Sequence, residues 1–203
     1  MFKKLAAEAL GISDIGTIVP PSDYDKVDAD DYLFHEDGEK IFFLIKSKKD
    51  EYCFTNLALI HVDGDSAISS KRRIHRYDYV WHTLGSVTIE TAGNIDLDVE
   101  LKFVLDGQQA FSIDVRRKHL EQLKDIYKAL YAIGRHQQTE QVARENARLC
   151  LQAVSTLYRM NAPREGESVV AQYGSLLEAY NASTLSKHTT RDYSAWFEKY
   201  IHG

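Results

Sequence analysis

The sequence predicts an α+β chain: a small antiparallel β-barrel or sandwich of about seven strands, capped by a C-terminal helix and followed by an α-helical hairpin. Three observations lead there. Between Gly38 and Val115, short runs of β-formers alternate with polar turns. From Lys118 the apolar period lengthens from two residues to that of a helix. Beyond Gly134 no strand signal returns. With 44% hydrophobic and 27% charged residues, the 203-residue chain has the composition of a packed globular protein. The natural division is a first domain over 1–134, including an N-terminal helix and connector over 1–38, and a helical region over 135–203.

Met1 to Gly11 reads as a short amphipathic helix stopped by glycine. Glu8 and Ser13-Asp14 interrupt the apolar run that a secretory leader needs, and no window reaches the length of a membrane span. Residues 12–38 form an irregular connector broken at Pro20-Pro21, with Ile15, Ile18, Tyr32, Leu33 and Phe34 packing onto the strands of the barrel. Its acidic run, Asp23 to Asp31, lacks the central glycine and closing glutamate of a calcium loop and reads as solvated.

Ile41 to Ile45 is continuously apolar, as in a strand buried on both faces. Lys48-Lys49-Asp50 turns it into Tyr52–Thr55, and Leu57–Val62 comes next, ending at the Asp63-Gly64 turn. Arg73–Tyr79 and Val87–Thr91 are the succeeding runs. In Asp96–Val104, Leu97, Val99, Leu101 and Phe103 alternate with Asp98, Glu100 and Lys102. Asp106-Gly107 turns into Phe111–Val115.

Leu120, Leu123, Ile126, Tyr127, Leu130 and Ile133 then share one helical face, which needs the open end of the barrel to bury it. Gly134 ends or interrupts that helix. Gln137–Met160 and a stretch carrying Val169, Val170, Tyr173, Leu176, Leu177 and Tyr180 form the hairpin, broken at Asn161–Gly166. Thr189–Asp192 has the form of a capping box before an aromatic stripe, Tyr193, Trp196, Phe197 and Tyr200. A hairpin of this size has little core of its own. Its apolar stripes must pack on the barrel, on each other or on another copy, and Tyr173, Leu176, Leu177, Tyr180, Trp196, Phe197 and Tyr200 are expected at an interface between copies, with docking inside the chain as the alternative.

Two stretches resemble the bacterial pleckstrin-homology family. Cys53–Asp63 is similar to its FTN-x-R-hydrophobic-I-x-x-D hairpin, with Ala58 in place of the basic residue. Glu90–Lys102 is similar to its ETAG-x-x-DLD-x-EL segment. The resemblance covers about residues 1–133, and the remaining helices look like the oligomerisation region of YvbH-like proteins. It implies a seven-stranded, partly open antiparallel β-barrel closed by a C-terminal helix, the arrangement the periodicities give independently, together with ring-like or other homo-oligomers and no known enzymatic activity.

The residues themselves supply no catalytic constellation. His61, His75 and His82 lack metal-ligand spacing, no Cys-x-x-Cys occurs, and no metal or cofactor is expected. Cys53 and Cys150 read as buried thiols of a reducing, cytoplasmic protein. Cys53 with His61 has the residue types of a nucleophile and base, but not an oxyanion hole. A net charge of −5 argues against nucleic acid and membrane surfaces, although Tyr77, Tyr79 and Trp81 follow Arg73 and Arg76. Lys46, Lys48, Lys49 and Arg73 are the candidate ligands for an anionic small molecule or lipid headgroup. The leading expectation is a non-enzymatic module that self-associates and binds a protein partner.

Overall fold

The structure, a computed structural model, describes residues 15–64, 72–91, 98–160 and 169–201. The helix expected over 1–11, Lys71, the turn at 92–94 and the break at 161–166 lie outside them. Two antiparallel sheets are present. The first runs in chain order: β1 (Thr17–Ile18), β2 (Ile41–Lys46), β3 (Glu51–Thr55), β4 (Ala58–Gly64) and β5 (Arg72–Asp78). The second is β6 (Leu84–Glu90), β7 (Asp98–Leu105) and β8 (Gln109–Arg116). Gly16 joins them along one side, donating its N–H to the Asp114 carbonyl at 2.7 Å and accepting from Arg116 N–H at 3.0 Å. On the other side β5 and β6 are both sheet edges, so the barrel is partly open.

The apolar run in β2 is explained by burial on both faces. Phe43 and Ile45 face inward with Phe54, Leu59, Phe103, Phe111 and Ile113. Leu44 faces outward with Cys53, Ile60 and Val62, under Val19, Val27, Ala29 and Leu33. The connector is therefore a lid of three 3-10 helices, Pro21–Lys26, Asp28–Tyr32 and His35–Asp37. Tyr32 and Phe34 depart from expectation and stay about half exposed, the Phe34 ring lying 4.6 Å from the Arg76 guanidinium. Buried Glu51 fastens the lid from β3: it accepts N–H groups of Ala29 at 2.8 Å and Asp28 at 3.3 Å and pairs with Lys46.

Among the described residues three α-helices follow the strands: α1 (Leu120–Met160), α2 (Val169–Asn181), continued by a π-helical turn over Ala182–Lys187, and α3 (Ser194–Ile201). Leu123, Ile126, Ala129, Leu130 and Ile133 are wholly buried in the barrel core. Gly134 does not end the helix. A Cβ at Gly134 would lie 2.5 Å from the Leu84 carbonyl oxygen, so glycine here lets the helix backbone close onto β6.

By contacts the chain forms two compact units, Met1–Gly134 together with Arg191–Gly203, and Arg135–Thr190. The aromatic terminal helix thus belongs to the first unit rather than the helical one. Phe197 is wholly buried and stacks on Phe42 at 5.1 Å, while Tyr193 packs edge-on against Tyr79 at 5.6 Å. The expected capping box does not form: Asp192 accepts the Ser194 N–H at 2.7 Å, whereas Thr190 donates to Glu140. In the second unit Glu140, Gln137 and Thr184 are buried, and Arg144 donates to the His188 carbonyl at 2.5 Å. No hydrophobic side chain is buried there among the described residues. Cys150 is exposed rather than buried.

Candidate functional site

The four candidate cations do not form one pocket. Lys46 shares the outer face of β2 with Leu44 and is spent on the buried Glu51 carboxylate. Lys48 and Lys49 are exposed at the tip of the β2–β3 turn, which Ser47 organises by accepting the N–H groups of Lys49 and Asp50. Arg73 is exposed on β5, opposite Asp63 on β4. Gly64 brings these strands together: a Cβ there would lie 2.6 Å from the Lys49 carbonyl oxygen and 2.9 Å from an Arg72 guanidinium nitrogen.

Beside that turn, antiparallel register gathers rings the linear sequence scatters. Tyr52 stacks on His61 at 4.4 Å, His61 on His75 at 6.0 Å, and His75 on Tyr77 at 6.3 Å, with Phe111 edge-on to Tyr52, His61 and Tyr77. Asp50 bonds His61 at 3.2 Å. Burial, then Asp50, Asp63 and Asp114, pushes the Tyr52 hydroxyl far above the usual tyrosine range. Asp114 is itself raised, by burial and by neighbouring Glu100 and Asp98. This side of the rim is acidic, which opposes an anionic ligand reaching in from the lysine turn.

Cys53 and His61 cannot act as a catalytic pair. Cys53 lies on the outer face with Ile60 opposite, and His61 belongs to the inner row. Burial, with Glu51 next, pushes the Cys53 thiol well up, opposite to what a nucleophile needs. Among the described residues no group of three or more His, Cys, Asp or Glu could hold a metal ion. Tyr79 is buried, so it does not extend an exposed aromatic, basic face.

The motif Phe54-Thr55-Asn56 has structural roles. Phe54 fills the inner core. The Thr55 hydroxyl donates to buried Glu39 at 2.6 Å and accepts from Leu57 and Ala58 N–H, turning the chain between β3 and β4. Glu39 also accepts from Arg76 at 2.9 Å and Phe34 N–H at 2.8 Å. Asn56 clasps the terminal segment: its amide donates to Asp192 at 3.1 Å, and its main-chain carbonyl accepts the Tyr193 N–H at 2.9 Å. Sequence reasoning named the motif but missed this use, since a partner 136 residues away leaves no local signature.

The expected interface residues divide between the units. On α2, Tyr173 is 62% exposed and Leu177 48%, with Val170 beside them at 82%. Leu176 and Tyr180 are half-buried. On α3, Phe197 is buried, and Trp196 and Tyr200 are partly buried against the barrel core. Phe197 is thereby corrected: its side chain is consumed within its own fold and is unavailable to a partner.

Two antiparallel sheets around one core, closed by a helix and bearing charged rim loops, define a pleckstrin-homology-type domain, a class that is generally non-catalytic. The family profile described as "Bacterial PH domain" matches residues 9–133. The chain belongs to the bacterial PH domain family. It is 50% identical over 204 residues to "Uncharacterized protein YvbH" of Bacillus subtilis (strain 168), covering 99% of both chains. "Uncharacterized protein YjqA" of the same organism is 32% identical over 97 residues, which are 48% of this chain and 76% of YjqA. The crystal structure of a PH domain containing bacterial protein from Exiguobacterium sibiricum 255-15 superposes with a TM-score of 0.82 at 45% identity, covering 93% of this chain and 100% of that one. No helix among the described residues is long and apolar enough to cross a membrane.

Proposed function

We propose that the protein is a non-enzymatic, cytoplasmic scaffold module that homo-oligomerises through its helical unit and binds a protein partner. One observation carries this reading: among the described residues the unit Arg135–Thr190 buries no hydrophobic side chain, while α2 holds Val170, Tyr173 and Leu177 exposed. Residues spaced three and four apart share a helix face, so these three form a stripe. Isolated helices of this length are marginal in water and take their stability from a packed apolar face. A second copy of the same stripe supplies such a face.

Light scattering on the full chain tests this. Wild type is expected to be oligomeric, and Tyr173→Asp with Leu177→Asp to reduce it to a monomer with its barrel signal intact. A strictly monomeric wild type at all concentrations overturns the self-association, and failure to crosslink any protein in the native host overturns the partner. The anionic-ligand alternative loses Lys46 to Glu51 and faces the acidic rim. Unchanged binding of anionic vesicles by Lys48→Glu with Arg73→Glu would dispose of it.

A further inference from the structure

We propose that the cleft between β6 and α1 receives an extended, acidic segment of the partner protein, added as a strand to the β6 edge. The inference deepens the partner-binding half of the proposed function and rests on it, but it does not involve the helical stripe. A cleft of about 430 Å³ lies here, lined chiefly by Val87, Thr88 and Ile89 of β6 and by Leu120, Lys124 and Tyr127 of α1. Among the described residues β6 pairs with β7 alone, so along Thr88–Glu90 its other side offers main-chain donors and acceptors. Those groups are satisfied by another strand, which is the chemistry of an extended peptide rather than of a helix or a small molecule.

The two open edges of the barrel differ in how they are guarded. β5 carries Arg72, Arg73 and Arg76, the kind of charge that discourages edge pairing. β6 has neither lysine, arginine nor proline, and Glu90 at its end is held by Lys102 at 2.8 Å on the face of the second sheet. A register shift between Gly85 and Thr88, with Ser86 at a φ of 49°, limits the regular stretch to Thr88–Glu90. Val87 is buried and Leu120 and Tyr127 partly buried, giving the cleft an apolar floor for one side chain of the incoming strand. Among the described residues lining the cleft, Lys124 is the charged one. Its ion partner is Glu121 on the same helix, with both side chains largely in solvent, an arrangement an incoming carboxylate readily replaces. The cleft therefore selects an apolar residue for its floor and an aspartate or glutamate for Lys124.

Panning phage-displayed random peptides against the full chain, then using the enriched peptides in synthetic, fluorescent form, tests the assignment. Acidic, apolar, extended sequences are expected to enrich. Their binding should slow hydrogen exchange of amides within 86–90. Lys124→Glu should weaken them roughly fivefold or more, with Lys124→Ala intermediate, while Lys128→Glu one turn on has little effect. Circular dichroism confirms that each variant is folded. Enriched peptides that protect a different surface, or bind Lys124→Glu equally well, overturn the cleft while leaving partner binding intact. Protection of 86–90 that grows with protein concentration in the absence of peptide overturns it in favour of a second copy. Absence of any enriched peptide overturns it as well, with the partner reading then resting on crosslinking and self-association on light scattering.

Discussion

Asn56 shows how much a single side chain settles when it is buried with every polar atom engaged. It is 1% exposed; its side-chain oxygen accepts the Lys40 N–H at 2.9 Å while its amide reaches Asp192. Truncating it leaves those groups facing a void, and unmet buried hydrogen bonds cost about 1–3 kcal/mol each. Asn56→Ala should therefore lower the denaturation midpoint and expose the chain after Thr190 to proteolysis, read by mass spectrometry; unchanged cleavage would show that ring packing alone holds α3. Asp192 adds a pH dependence. Burial by itself would raise its carboxyl, but the Ser194 hydrogen bonds and the Asn56 amide outweigh it and hold the group below the usual carboxylate range. A depressed carboxylate stabilises the fold above its ordinary value, and that contribution is lost as pH falls through the lowered one. Acid titration of tryptophan fluorescence should show α3 loosening in that window, and Asp192→Asn should remove the step.

At the scale of elements, Gly134 sets two effects against each other. In an exposed helix, glycine to alanine gains about 1 kcal/mol. Here the new Cβ would meet backbone, the Leu84 carbonyl, at 2.5 Å, and forcing atoms into a packed site costs about 1–3 kcal/mol. Gly134→Ala should thus destabilise the protein in urea unfolding; a stabilised variant would mean the helix shifts freely over β6. The same residue marks a limit of legibility. Alternation and turn chemistry made β2 to β8 readable, because those signals are local. The helical period made Leu123 to Ile133 readable as the closing face. Glycine, however, reads as a stop unless one knows that Leu84 lies against it, and that contact is set by tertiary packing. The candidate site was less legible still. Lys46, Lys48 and Lys49 looked equivalent along the chain, yet the pleat turns Lys46 toward Glu51 and leaves the other two at the turn tip. The row Tyr52–His61–His75 exists only through cross-strand register, and Tyr77 extends it two residues along β5. The aromatic stripe of α3 was visible, but its partner was not: Phe42 and Tyr79 claim it.

For the whole molecule, the two units differ in where their stability originates. Met1–Gly134 with Arg191–Gly203 contains every buried hydrophobic residue among those described, from Ile18 to Phe197. Burial of that apolar surface drives its folding. Among the described residues Arg135–Thr190 buries the polar groups Gln137, Glu140 and Thr184 and no hydrophobic side chain. Hydrogen bonds of this kind contribute about 1 kcal/mol net apiece, too little to offset the ordering of a helical unit. If the α2 stripe is completed by another copy, association is what stabilises this unit, and mass action then links its unfolding to protein concentration. Scanning calorimetry should resolve a lower transition that rises with concentration and an upper one that does not. In Tyr173→Asp with Leu177→Asp the lower transition should fall and lose its concentration dependence, while the upper stays in place. One concentration-independent transition in wild type would show instead that the helical unit draws its stability from within the chain, and would remove the thermodynamic reason for assembly.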